Sequence, residues 1–220
     1  MHGSSREMIA DPEAALAGDP HPVLAQLGWP DGASAVVQRD GRLLGPVVDA
    51  GSLERFLRDY HDQLLVPAEW PAILQAHRHA VRGEVRELIA LDRKLATEGV
   101  DPDLVAASCR VGQRQLSRLR ALRDQRVIQR YLSALDAGEA RGWHTLVYGV
   151  SLAVFALPLR QGLMNYAGRT IGGFVAGAAR SRLVSEARAL ELEAAARARL
   201  PDALESVLAR GIGTPALRLV

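Results

Sequence analysis

Imidazole binds metals and moves protons near neutral pH, so His61, His77, His79 and His144 are the first residues to test for chemistry. Two ligands on one helix need a spacing of i, i+3 or i+4 to share a face. His77 and His79 stand two apart in a predicted helix and so point to different faces. His61 belongs to another helix and His144 to a turn. We read all four as surface or core-edge histidines and expect no metal site. Ser108-Cys109-Arg110 lies inside a predicted helix, where a nucleophile is poorly presented, and no serine sits in a Gly-x-Ser-x-Gly elbow. Cys109 reads as a small buried residue. No Gly-x-x-x-x-Gly-Lys-Ser/Thr phosphate loop occurs, and Gly172-Gly173 follows no strand, so no nucleotide cofactor is expected. Asp92, in Leu88-Ile89-Ala90-Leu91-Asp92, reads as a solvated carboxylate on the polar side of an apolar stripe. A base, a nucleophile and an oxyanion donor do not assemble from these residues, so the expectation is a protein that is not an enzyme.

Composition narrows the classes further. The 220 residues suffice for one well-formed core. An apolar content of 48% with only 5% aromatics suits a helical core of Leu, Ala and Val. Against 27 basic residues stand 25 acidic ones, a formal charge of +2, and the charges read as alternating along solvated faces. Nucleic-acid binding normally shows a concentrated basic stripe, and none is read here. A single cysteine, Cys109, allows no disulfide within the chain and fits a reducing cytoplasm. Asp11, Glu13 and Asp19 interrupt the first twenty residues, which offer no apolar signal-peptide core.

The elements that position these residues are helices. Residues 1–47 read as mostly irregular, with a small hairpin from Val36-Val37-Gln38 and Arg42-Leu43-Leu44. Ser52 is the expected N-cap of a helix whose Leu53, Phe56, Leu57, Tyr60 and Leu64 form one stripe, and Pro67 is expected to end it. A second helix covers Trp70 to Val81, and Gly83 divides it from a third that faces inward through Val85, Leu88, Ile89, Leu91 and Leu95. Gly99 and Asp101-Pro102 mark the next boundary, followed by helices over 103–122 and 124–135. The stretch from Ala137 to Arg180 then joins two apolar helices at Leu157-Pro158-Leu159, the second crowded with glycine and alanine. Its uncharged run, Thr145 to Leu159, is shorter than the ~20 residues a membrane span needs. An Ala/Arg/Glu-rich helix to Leu200 and a last one after Pro201 complete an all-α single-domain bundle of about eight to nine helices. The expected boundaries are an irregular segment over 1–47, an all-α domain over 48–210 and a flexible tail over 211–220.

Several phrases together resemble one family. Gly138, Glu139, Gly142 and His144 match a Gly-Glu-x-x-Gly-x-His turn, followed by an apolar helix with an internal glycine, Gly149, and then Leu157-Pro158-Leu159. Ala50-Gly51-Ser52-Leu53-Glu54-Arg55-Phe56-Leu57 is similar to a Ser-Leu-Glu-x-Trp/Phe-Leu helix start. Ala76-His77-Arg78 through Leu91-Asp92-Arg93-Lys94-Leu95 is similar to an Ala-His-Arg…Leu-Asp-x-x-Leu pair of helices. Ala107 to Leu116 is similar to Ala-Ser-x-x-x-Gly-Arg-Arg-x-Leu. In this order and spacing the phrases resemble the urease accessory protein UreF over about residues 48–180. Two of the family's usual segments are replaced, by Gly28 to Ala35 and by Leu183 to Arg188.

The resemblance implies a non-catalytic, dimeric, all-α scaffold. It would act with the accessory protein UreD (also called UreH) and the GTPase UreG to deliver nickel to apo-urease. Partner-binding positions implied by the match are Arg110, Gly112, His144, Gly149, Tyr166 and Arg180. Gly112 and Gly149 are expected to permit helix crossing, Tyr166 and Arg180 to anchor contacts, and His144 to hydrogen-bond within its turn. The Gly/Ala-rich helix from Met164 to Arg180 is the expected surface for a partner or a second copy. The alternative is a helical adaptor unrelated to nickel that has kept the fold.

Overall fold

The computed structural model describes residues 21–23, 37–39, 42–95 and 102–213. The hairpin pairs β1 (Val37–Arg39) with β2 (Arg42–Leu44), Val37 opposite Leu44 and Arg39 opposite Arg42. All other regular structure among the described residues is helical, and the fold is all-α. Gly99 and Asp101, expected to mark a boundary, lie outside the described residues, as do residues 28–35 and 214–220.

Helix α1 (Ala50–Tyr60) starts one turn earlier than its sequence suggests. Asp49 is the N-cap and Ser52 the third helical residue; Ser52 N–H donates to Asp49 Oδ1 at 2.7 Å, while Asp49 N–H donates back to Ser52 Oγ at 2.9 Å. The Ser52 N–H, joined by the Ser52 hydroxyl donating to Asp49 Oδ1 at 2.7 Å, holds the Asp49 carboxyl below the usual range. Pro67 does not end the helix. The chain widens into a π-helix over His61–Glu69, with Pro67 inside it, and runs on into α2 (Trp70–Arg82). In an α-helix the proline would lose its bond and strike the carbonyl four residues back. The wider π register relieves that clash, and Trp70 N–H reaches back to Leu65 O, the i→i−5 pattern.

Beyond Gly83, whose φ of +69° favours glycine, come α3 (Val85–Leu95) and α4 (Pro102–Arg118), which tightens into a 3₁₀ turn at Leu119–Ala121. Then follow α5 (Arg126–Asp136), α6 (His144–Val154), α7 (Leu159–Arg180), α8 (Glu186–Ala198) and α9 (Leu200–Gly213), the last extending beyond the boundary read at 210. No described helix is long and apolar enough to cross a membrane.

The described chain divides into two compact units. The first holds residues 72–95 and 108–159; the second holds 21–23, 37–39, 42–71, 102–107 and 160–213. The core of the first is built on Ile73, Leu88, Leu116, Ile128, Tyr131 and Leu146, all fully buried. That of the second is richer in rings: Phe56, Tyr60, Trp70 and Phe174 are buried, with Trp70 Nε1–H donating to Leu163 O at 3.0 Å. Phe174 meets Phe56 and Tyr60 edge to face at centroid distances of 5.1 and 5.0 Å, the geometry favoured by ring quadrupoles.

Candidate functional site

The phrase Gly138 to His144 forms the link between α5 and α6 in the first unit. Gly138 closes α5 at φ +72°, and Glu139 N–H returns to Ala134 O at 2.8 Å, a Schellman-type ending. Gly142 again adopts a positive φ of +74°. Between the two, the chain is held from beneath by an aspartate. Asp92 is 0% exposed, not solvated as its sequence context suggested. Its carboxylate accepts from Arg141 N–H at 2.6 Å, Gly142 N–H at 2.9 Å and Tyr131 O–H at 2.5 Å. A buried carboxylate is tolerated only when its lone pairs are filled in this way. Burial, with the Asp92 charge next to it, pushes the Tyr131 hydroxyl well above its ordinary range and keeps it a donor.

Helix α4 presses on the same link through Gly112. A side chain there would overlap Gly142 O and start 2.7 Å from His144 N and 2.8 Å from the Trp143 carbonyl carbon. One turn earlier, Ser108 Oγ lies 2.8 Å from His144 Nδ1 and accepts weakly from His144 N–H at 3.4 Å. That hydroxyl serves the start of α6, whose own N-cap, Trp143, supplies no side-chain cap. Ser108 and His144 thus stand at the distance of a nucleophile and its base. Ser108, however, is only 1% exposed, and its bonds tie α4 to the turn. Neighbouring Cys109 has its thiol pushed up to about 11, first by burial and then by the Asp92 charge, so it is no thiolate at neutral pH. Gly149, on α6, lets α2 approach: a Cβ would overlap Ile73 O and come within 3.0 Å of Ala76 Cβ and 3.1 Å of His77 N. What the arrangement does is fix a shape.

Of the expected positions, the structure therefore joins Gly112 and His144 directly, with Gly149 farther along the helix that His144 begins. Arg110 is exposed on α4 and Arg180 at the end of α7. Tyr166 is 7% exposed and buried within the second unit, where its ring meets His21 edge-on at 6.0 Å. His21 donates through Nε2 to Glu69 at 2.7 Å while Nδ1 accepts from Val23 N–H; Tyr60 O–H donates to the same carboxylate at 2.6 Å. Burial and the Glu69 charge raise the Tyr60 hydroxyl well above its usual range. The glycine face of α7 is partly occupied from within its own unit. Arg197 of α8 donates to Gly168 O at 2.8 Å, and Glu193 and Arg197 cover Gly172. His61 pairs with Asp62 and His79 with Glu84, while half-burial holds His77 below its ordinary value.

Sequence reading missed Asp92, Ser108 and Glu69. The signal for Asp92 was present, because Val85, Leu88, Asp92 and Leu95 share one helical stripe. Glu69 was hidden by the expectation of a helix break at Pro67.

The family description UreF matches residues 47–196, which include Asp92, Gly112, the Gly138–His144 link, Gly149, Tyr166 and Arg180. The chain belongs to the UreF family of urease accessory proteins. No curated protein matches it. Membership assigns a urease accessory role in maturation, in a family that is generally non-catalytic. Around Asp92 the polar groups are spent on holding the backbone.

Proposed function

We propose that the protein is a non-catalytic scaffold for urease maturation, assembling with UreD (UreH) and the GTPase UreG so that GTP-dependent steps insert nickel into apo-urease. In this reading nickel is cargo, GTP chemistry belongs to UreG, and the scaffold works in the cytoplasm as a homodimer. The observation that carries the proposal is the family match over 47–196, which spans the packed turn and both glycine crossings. Arg110 and Arg180, the exposed members of the matched set, are the proposed contact residues.

The test is deletion of the gene in its own organism, followed by urease assays with and without added nickel. Activity should fall while the amount of urease polypeptide stays normal, and a plasmid copy should restore it. Undiminished activity would favour the adaptor reading, in which the fold serves another partner. Arg180→Glu should reduce co-purification of UreD and UreG with the chain; unchanged recovery would remove Arg180 from the contact surface.

A further inference from the structure

The charge pattern read as alternating fails in one place. Between residues 110 and 130 there are seven arginines and a single acid, Asp124, with no lysine and no glutamate. Arg110, Arg114 and Arg118 recur every four residues along the exposed side of α4, a row about 12 Å long. Arg120 and Arg123 continue it around the corner, and Arg126 and Arg130 are exposed on α5. Gln129 Nε2 donates to the carbonyls of Arg120 and Leu122 at 3.3 and 3.1 Å, which pins the start of α5 against that corner.

Elsewhere some exposed arginines pair with local acids, Arg93 with Glu139, Arg160 with Glu205, Arg188 with Glu54 and Glu191, and Arg199 with Asp62. Others, such as Arg58, Arg86 and Arg182, have no ion pair among the described residues; what sets residues 110–130 apart is the density of arginine. In the ridge Arg120 pairs with Asp136 at 3.3 Å. Among the described residues no carboxylate pairs with Arg110, Arg123, Arg126 or Arg130. Like charges four residues apart on one helix face repel.

We infer that the α4–α5 ridge from Arg110 to Arg130 is a docking surface for an acidic, carboxylate-rich segment of a partner protein. Arginine alone supplies the cations, and its planar fork suits bidentate pairing with carboxylates. The exposed positions between the α4 arginines are Gln113 and Ser117, so no apolar face is offered for burial in a lipid surface. No aromatic side chain stands exposed among them to stack a base, as single-stranded nucleic acid requires. The inference stands on charge and geometry and does not depend on the urease reading.

Fluorescence anisotropy of a labelled oligoglutamate peptide, titrated at low and high salt, tests it. The native chain should bind the peptide, more weakly as salt rises. The Arg110→Glu/Arg123→Glu/Arg126→Glu/Arg130→Glu variant should lose at least about tenfold in affinity with unchanged helical circular dichroism. Should that variant fail to fold, Arg123→Glu alone should still cost about two- to threefold, the size of one exposed pair. No binding of oligoglutamate, or equal binding by a folded variant, would overturn the inference. So would tighter binding of duplex DNA or of phosphatidylserine vesicles that oligoglutamate cannot displace.

Discussion

Two pairs of helical glycines look alike in sequence and differ in what they face. Gly112 and Gly149, in the first unit, are met by backbone: Gly142 O and His144 N at one, Ile73 O and His77 N at the other. Gly168 and Gly172, in the second, are met only by the far ends of Arg197 and Glu193. Backbone in a packed core cannot withdraw, whereas a guanidinium on three methylenes can. Glycine at the first pair is therefore a condition of the fold. At the second it shapes a surface that α8 happens to cover.

The largest expected effect follows from the tightest site. Gly112→Ala should lower unfolding free energy by about 3 kcal/mol or more, despite alanine's better helix propensity, because three backbone groups must move. A urea titration followed by circular dichroism measures it, and a loss below about 1 kcal/mol would mean the link to Gly142 is soft. Gly149→Ala should cost about 2–3 kcal/mol, read in the same titration, with the overlap at Ile73 O as its cause.

Cys109 reports on the same region without a substitution. With its thiol raised to about 11, the thiolate fraction at pH 8 is on the order of one in a thousand, so iodoacetamide should label the native chain far more slowly than the urea-unfolded chain. The folded state keeps this proton to higher pH than the unfolded state. Unfolding therefore releases a proton between about 9 and 11, and stability should fall as pH rises through that window. Fast native labelling would show that the Asp92 neighbourhood opens.

The smallest effect is the sharpest contrast. Gly168→Ala and Gly172→Ala should each change stability by less than about 1 kcal/mol in either direction, since improved helix propensity offsets displacement of Arg197 or Glu193. A loss comparable to that at Gly112 would erase the distinction between the two pairs.

Much of the architecture was legible because helix periodicity survives local exceptions. The stripe Leu53, Phe56, Leu57 and Tyr60, the break at Gly83 and the joint at Leu157-Pro158-Leu159 all appear where spacing and turn chemistry put them. Pro67 misled because its usual effect assumes α geometry, and the π register removes the clash that gives the rule its force. Asp92 misled because its charge was weighed above its position in the stripe; what satisfies it, the N–H groups of Arg141 and Gly142, lies about fifty residues away and no local pattern announces it. The Met164–Arg180 face was read as open to a partner, but Gly168 and Gly172 are covered by α8 side chains that helix-by-helix reading cannot bring together. The arginine ridge was legible throughout and was masked by averaging charge over the whole chain.

The proposed role in maturation predicts a chemical difference in another protein, which makes it directly measurable. Urease purified from a strain lacking this gene should be present in normal amount with its active sites largely free of nickel. A plasmid copy of the gene should restore the metal content. Urease that comes out of the deletion strain fully loaded with nickel would contradict the account.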